Sequence, residues 1–564
     1  MSVGAEAFDY VVVGAGAAGC VLAHRLAAGG THTVCLLEAG PPDNSIFLRI
    51  PAGVYKASSM PKYAWLFETA PCAATANRAI PMPQGKTLGG STAINGMNYN
   101  RGTPEDFDGW AQRGNRGWGY ADVLPYFKRT ERRVGKCDPL YRGSDGALPI
   151  TDSAWHHPLY DAFIEAAHNF GLPCNSDYNG ASQRGVGYYQ HYIENGWRIS
   201  AARAFLRPAS HRNLEVRTNA QAIAIVFDRK RACGVRYTRG PGNAPAEVKA
   251  RREVVLAAGA ANTPKLLQIS GVGPRGLLAD LGVPAVHELP GVGANLQDHY
   301  MVHLVVRVKG VKTISGRGLA LLREGAKWAL GRSSILGISP SLVYGFVNSR
   351  DLCSTPDIQL DLAIGNYTNL SFERFPVLKL GFYQLRPRST GYVRACSSDP
   401  FRAPIIQPHY LVDEQDQRVV IDGIATLRRL LAGPALEPYY CDEELPGSAI
   451  KHDSDCLDFA RNAGLTAYHL CGSCRMGPPD DVTSVVDDQL RVHGLEGLRI
   501  ADASIMPTVP SANTSAAVFM IAEKASDMIL GRPPLPRIDV GSPNRASSPS
   551  ALFANKTHVE VQEA

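Results

Sequence analysis

The first residues whose types and spacing could do chemistry are the glycines of GAGAAG, Gly14, Gly16 and Gly19, followed nineteen positions after Gly19 by Glu38. Gly14 permits a tight turn, Gly16 lets backbone approach a pyrophosphate, and Gly19 allows a helix to pack closely on a strand. The helix N-terminus behind them offers unpaired N–H groups to the anion. A carboxylate at Glu38 can accept hydrogen bonds from an adenosine ribose, which favours an unphosphorylated ribose over an NADP-type one. These residues imply an adenine dinucleotide and leave FAD and NAD both open. A second chemical pattern, C-x-x-C at Cys471 and Cys474, invites a redox or metal reading. No second pair at zinc spacing accompanies it, so packing is favoured and no metal is assigned.

The elements that must position the glycines read as a βαβ unit: a buried strand at 10–13, a helix from 16 to about 28 and a second strand at 34–38. From 41 to 83 the chain is rich in Pro, Ala and aromatic residues and reads as loops around a site. NLEVRTNAQAIAIVFD, CGVRYTR and REVVLAAGA return to the strand pattern, so the nucleotide domain is expected to be discontinuous. IQLDLAI and LKLGFYQL mark longer strands with helices between them, as in an inserted substrate domain. The last residues, 532–564, are rich in Pro, Ser and Asn and are expected to form a disordered tail.

With 564 residues, the chain is long enough for two or more structural units. A net charge of +6, from 58 basic and 52 acidic residues, is too small and too dispersed for a nucleic-acid partner. The N-terminus lacks the pattern of a secretory signal, and no apolar run is long enough to span a membrane. Twelve scattered cysteines suit a reducing compartment, so a cytoplasmic location is expected, with peripheral membrane contact left open.

Five further segments decide between the dinucleotides: RAIPMPQGKTLGGSTAINGMNYNRG, AAGAANTPKLLQISGVGP, GVGANLQDH, AYHLCGSCRMG and GLRIADASIMPTVPSANTSAAVFMIAEKASDMI. With the N-terminal unit, and in the same order, they resemble the glucose–methanol–choline (GMC) oxidoreductase family over about Asp9 to Gly531, closest in pattern to its bacterial-type alcohol and choline dehydrogenases. The resemblance implies FAD and an α/β fold: a Rossmann-like FAD-binding domain assembled from separated segments, with an inserted substrate domain built on an antiparallel sheet flanked by helices. The expected division is 1–160 (including a flavin-contact loop at 85–102), 201–302 and 465–531 for FAD, and 161–200 and 303–464 for substrate.

On that resemblance Gly89, Gly90, Ser91, Asn95, Gly96 and Met97 run along the flavin, and the backbone of Ala222 meets the adenine. Asp502 and Ala503 approach the ribityl and pyrophosphate, and Asn513 and Thr514 the pyrimidine edge. The candidate cofactor set also takes in Ala17, Ala18, Ala39 and Trp65. Some family members bond the flavin covalently through a histidine where this chain has Ile94, so the expected FAD is non-covalent. His469 corresponds to the family's catalytic histidine and Asn513 to its partner, with Tyr468 beside them in the substrate set. Oxidising an alcohol removes a hydroxyl proton and a carbon-bound hydride. A neutral imidazole at His469 can take the proton, and Asn513 can hold developing charge on oxygen. His299 in NLQDH is expected to serve structure. The electron acceptor, quinone-type or O2, stays open, as does the oligomeric state. The fold also hosts lyases and a light-driven fatty-acid decarboxylase; Asn366, where the latter calls for cysteine, and Asn513 both count against it.

Overall fold

The computed structural model describes residues 6–208, 211–314, 318–350, 355–365 and 375–541. Asn366 and the chain beyond 541 lie outside them. The strand Glu6–Val13 ends in the apolar run Tyr10–Val13, buried because it is paired on both sides. It lies parallel to Val34–Leu37 on one edge and to Ala246–Leu256 on the other, with Leu214–Arg217 and Leu498–Ile500 completing the parallel order outward. The final strand thus arrives from far along the chain, after the whole substrate-binding part has been built. The first half of Ala246–Leu256 also carries an antiparallel meander, Gln221–Asp228 and Arg231–Thr238. Helix Ala17–Ala27 connects the first two strands and packs against helix Ser515–Ile529. Arg25 on the former pairs with buried Glu523 on the latter at 2.9 Å.

A second sheet is antiparallel throughout, in the order Tyr440–Leu445, Tyr300–Val308, Val377–Gln384, Ile358–Ile364, Val343–Val347, Gly185–Tyr188. Leu465–Thr466 adds to the start of Tyr300–Val308. Side chains alternate across its strands. Val302, Leu304, Val306, Leu360, Leu362, Leu380 and Phe382 join one apolar cluster with helices Pro158–Asn169 and Glu414–Leu431. The intervening residues Met301, His303, Gln359, Asp361, Lys379, Gly381 and Tyr383 share the opposite face, where the site lies. This is the expected fold: a discontinuous Rossmann-like nucleotide domain with an inserted antiparallel substrate domain.

Two local expectations need correction. The stretch read as loops at 41–83 contains short helices at Ile46–Arg49 and Val54–Ala57 and a hairpin pairing Ala64–Glu68 with Pro81–Gly85. Pro81 and Pro83 have no N–H and mask the strand pattern, yet they are tolerated in an isolated two-stranded ribbon. The start of the supposed tail is fixed. Leu535 N donates to Tyr126 Oη at 3.1 Å and Ile538 N to the Ala121 carbonyl at 3.0 Å. Leu535 and Ile538 pack on the main core although their spacing among prolines has no helical or strand period. No helix among the described residues is long and apolar enough to cross a membrane.

Candidate active site

One elongated cavity of about 1020 Å³ runs from the GAGAAG turn to the polar face of the antiparallel sheet. Every site residue expected from the sequence lines it except Gly19 and Gly89, which lie behind its wall. Gly14 has φ +98°, and a Cβ there would stand 2.5 Å from the Ala257 carbonyl oxygen. A Cβ on Gly19 would stand 1.8 Å from the Gly14 carbonyl oxygen, so this residue sets how closely the helix approaches the turn. Gly16 is different: its Cβ would meet no protein atom within 4 Å and would enter the cavity. Helix Ala17–Ala27 begins beside it with no side chain capping its first turn, leaving N–H donors for an anion. These features fit a pyrophosphate.

Glu38 is buried, and its carboxylate accepts from Ala15 N at 2.9 Å and Gly40 N at 2.8 Å. Burial pushes its carboxyl up to about 7, against those bonds and nearby Lys86. Its oxygens keep lone pairs for a ribose while holding the turn. Asp502 works similarly, accepting from Gly259 N at 2.8 Å, Thr263 Oγ1 at 2.6 Å and Ser504 N at 2.8 Å. Ala39 and Ala222 line the Glu38 end of the cavity. Ala17, Ala18 and Ala503 offer backbone and methyl surface along it, and the Trp65 ring carries Lys86 Nζ 4.4 Å above its centroid.

The loop carrying Gly90, Ser91, Asn95, Gly96 and Met97 forms the opposite wall. Gly89 donates its N–H to the Ala15 carbonyl at 2.8 Å, tying the loop to the glycine turn, and a Cβ on Gly90 would lie 2.6 Å from Gly16 Cα. Buried Arg198 donates to the Asn95 carbonyl at 2.7 Å and the Thr92 carbonyl at 3.2 Å. Ile94 also lines the cavity. Met97 and Tyr468 have φ of 64° and 65°, a left-handed conformation that costs non-glycine residues energy and clusters at functional sites.

At the far end Asn513 Nδ2 donates to His469 Nε2 at 3.0 Å. The other ring nitrogen, His469 Nδ1, lies 2.9 Å from His299 Nδ1, and His299 Nε2 lies 3.1 Å from the Leu385 carbonyl. A carbonyl only accepts, so His299 carries its proton on Nε2 and its Nδ1 is a lone pair. His469 must then donate from Nδ1, which leaves its Nε2 unprotonated. Asn513 is oriented in turn: its Oδ1 accepts from Gln359 Nε2 at 3.2 Å, and Gln359 Nε2 also donates to Tyr189 Oη at 2.5 Å. Burial beside His299 holds the His469 imidazolium well below the usual histidine range, and burial lowers His299 to about 4. Both rings are neutral at neutral pH.

Asp298 fixes the backbone here. Oδ1 accepts from His469 N at 2.7 Å and His299 N at 2.9 Å, and Oδ2 from Thr466 Oγ1 at 2.5 Å and from Tyr410 Oη. Its carboxyl is raised to about 6 by burial, opposed by these four bonds. Asp298, Gln359, Tyr189, Tyr410 and Arg198 were not foreseen. Gln359 and Asp361 had a signal, as polar residues at every second position of IQLDLAI; the others carry none that spacing reveals. Cys471 and Cys474 are fully buried, and burial pushes both thiols up. Among the described residues no cluster of three or more His, Cys, Asp or Glu could hold a metal.

A Rossmann-like sheet whose glycine turn shares a cavity with a neutral, oriented His–Asn pair defines a dinucleotide-dependent oxidoreductase. Residues 8–301 and 387–522 match the N- and C-terminal models of the GMC oxidoreductases. The chain belongs to this family. It is 42% identical to an oxygen-dependent choline dehydrogenase of Cronobacter sakazakii, over 94% of this chain and 96% of that one. With its Escherichia coli namesake it shares 41% identity over 95% and 97% of the two chains. Pyridoxine 4-oxidase from Mesorbium loti has the same fold at TM-score 0.83 and 29% identity, covering 93% and 99% of the chains. Formate oxidase from Aspergillus oryzae RIB40 does so at 0.87 and 25%, covering 93% and 98%. The protein is thus an FAD-dependent oxidoreductase of the alcohol-oxidising type.

Proposed function

We propose that His469 is the general base and Asn513 the oxygen-binding donor for oxidation of an alcohol to an aldehyde or ketone, with FAD held non-covalently and electrons passed to a quinone-type acceptor. The observation that carries this reading is the unprotonated Nε2 of His469 beside the Asn513 amide N–H in the wall of the cavity. A hydroxyl entering there displaces the Asn513 N–H from Nε2, gives its proton to that nitrogen and has its oxygen's growing charge stabilised by the freed Asn513 Nδ2–H. FAD, when bound, supplies the acceptor for the carbon-bound hydride. Gly16 and the uncapped start of helix Ala17–Ala27 would hold its pyrophosphate, and Glu38, its ribose. Gly90, Asn95, Gly96 and Met97 would lie along the ring system, and Thr514 at its polar edge. Helix Ser515–Ile529, also without a side-chain cap and opening on the cavity, favours negative charge at that edge. Ile94 offers no nucleophile to the cofactor, which supports non-covalent binding.

The second reading, O2 as acceptor with H2O2 released, draws on the two structural relatives named as oxidases. Anaerobic mixing of the yellow protein with a panel of alcohols tests both. Bleaching of the flavin by at least one alcohol is expected, and its absence across the panel would contradict the reading. Slow recovery on admitting air, sped by a quinone, is expected of a dehydrogenase; rapid recovery with peroxide release selects the oxidase.

A further inference from the structure

The polar face of the antiparallel sheet extends past the reacting pair. Tyr383, Gly381 and Lys379 follow one another on one strand; Gln359, Asp361 and Ala363 lie opposite them on the next, and His303 is paired with Gly381 on the other side. Met301, His303, Asp361, Lys379 and Gly381 all line the cavity. Gln359 holds Asn513, so this rung marks the reacting end. Lys379 is four residues farther along its strand than the partner of Gln359, roughly 13 Å at about 3.3 Å per residue, a distance its flexible stem can shorten.

The charges on this face are not equally satisfied. Asp361 accepts from Ser341 Oγ at 3.0 Å and is further held by the Tyr189 hydroxyl. Lys379 and His303 have no hydrogen bond or ion pair among the described residues, although they are close enough for the lysine charge to oppose protonation of the imidazole. A neutral His303 can still donate one N–H. A half-buried ammonium without a counter-charge is costly, and burial lowers Lys379 to about 8; an anionic ligand would supply the missing charge.

Resting on the alcohol-oxidising reading above, we propose that Lys379, assisted by His303, forms an anion subsite, and that the substrate is an alcohol bearing a carboxylate several carbons from the oxidised carbon. One ammonium and one neutral ring N–H suit a monoanion. A dianion would need more cationic donors, and Asp361 on the same face would repel it. A quaternary ammonium alcohol would meet the unpaired Lys379 charge, whereas the Asp361 carboxylate that could attract it is already held by Ser341 and Tyr189.

The test uses the flavin-loaded full chain and a series of ω-hydroxycarboxylates of about four to ten carbons, each compared with the diol of the same length and with choline. Wild type is expected to favour one hydroxycarboxylate over its diol by about tenfold or more in kcat/KM. In Lys379→Met that ratio should fall about ten- to a hundredfold, mainly through KM, and Lys379→Arg should keep most of it. Flavin absorbance reports whether each variant is folded and loaded. Preference for choline or for the diols, or a ratio unmoved by Lys379→Met, would overturn the subsite while the alcohol chemistry stood. Failure of every alcohol, charged or neutral, to bleach the flavin would overturn the chemistry and the subsite with it.

Discussion

His299 never meets the cavity, yet it decides which nitrogen of His469 is free to act. The substitution His299→Phe keeps an aromatic ring of similar size where His299 stacks on Tyr383, with centroids 4.9 Å apart, and removes both ring nitrogens. His469 Nδ1–H then loses the one partner it has among the described residues, at a buried position, a loss of about 1–3 kcal/mol. If that penalty falls on the productive tautomer, the flavin-reduction rate drops about 5- to 150-fold. His299→Gln, whose amide can still donate to the Leu385 carbonyl and accept from Nδ1, should recover most of the rate. Anaerobic stopped-flow reduction by a saturating alcohol measures this step, with flavin content confirming the fold. A His299→Phe rate within about twofold of wild type, in loaded protein, would refute the tautomer argument.

Three other outcomes follow from the same geometry. His469→Ala should leave yellow, folded protein with alcohol turnover reduced about 10²- to 10⁴-fold; undiminished turnover would remove His469 from the base role. With a neutral alcohol and the flavin kept saturating, kcat/KM should fall as pH drops through the Asp298 carboxyl, which burial raises to about 6. His469 is itself held well below the usual histidine range by burial and by His299. Asp298→Asn should therefore shift the acid limb downward, whereas a limb at or above 6.5 in both proteins would contradict the assignment. Finally, Gly16→Val should abolish yellow colour while leaving the apoprotein's melting temperature nearly unchanged, because its side chain would enter only the cofactor's space. Gly19→Val should instead lower that temperature or prevent folding, and the reverse pattern would mean that the roles of the two glycines are exchanged.

The cofactor half of the site was legible because its requirements are local. A tight turn, a close helix and an open backbone approach each demand glycine, and GAGAAG shows all three within six residues. The strands beyond were legible from their apolar runs, even where the sheet brings together segments as far apart as Val13 and Leu498. Proline disguised the hairpin Ala64–Glu68 with Pro81–Gly85, and the docked stretch around Leu535 and Ile538 has no period to detect. The catalytic half was legible only as isolated motifs. His469 and Asn513 could be named, but the bonds of Asp298 to His469, of Tyr410 to Asp298 and of His299 to the Leu385 carbonyl each span more than eighty residues of chain. A hydrogen-bond relay of this kind has no sequence period, because its members belong to different strands and loops.

The way that relay is stitched has a consequence for recombination. His469 and Asp298 stand just outside the antiparallel sheet, in the connections entering and leaving it, while the Leu385 carbonyl, Tyr410 and Gln359 belong to the inserted part. Specificity and chemistry are therefore not separable modules. A chimera that imports the inserted part from a relative to change substrate range also imports the groups that set the tautomer of His469 and aim Asn513. Crossovers placed at the ends of the insert will give active hybrids only when the donor supplies a carbonyl, a hydroxyl and an amide at those three places. Exchanging the single positions 301, 303 and 379 on the cavity face would vary specificity and leave the relay whole, whereas Asp361 shares Tyr189 with Gln359.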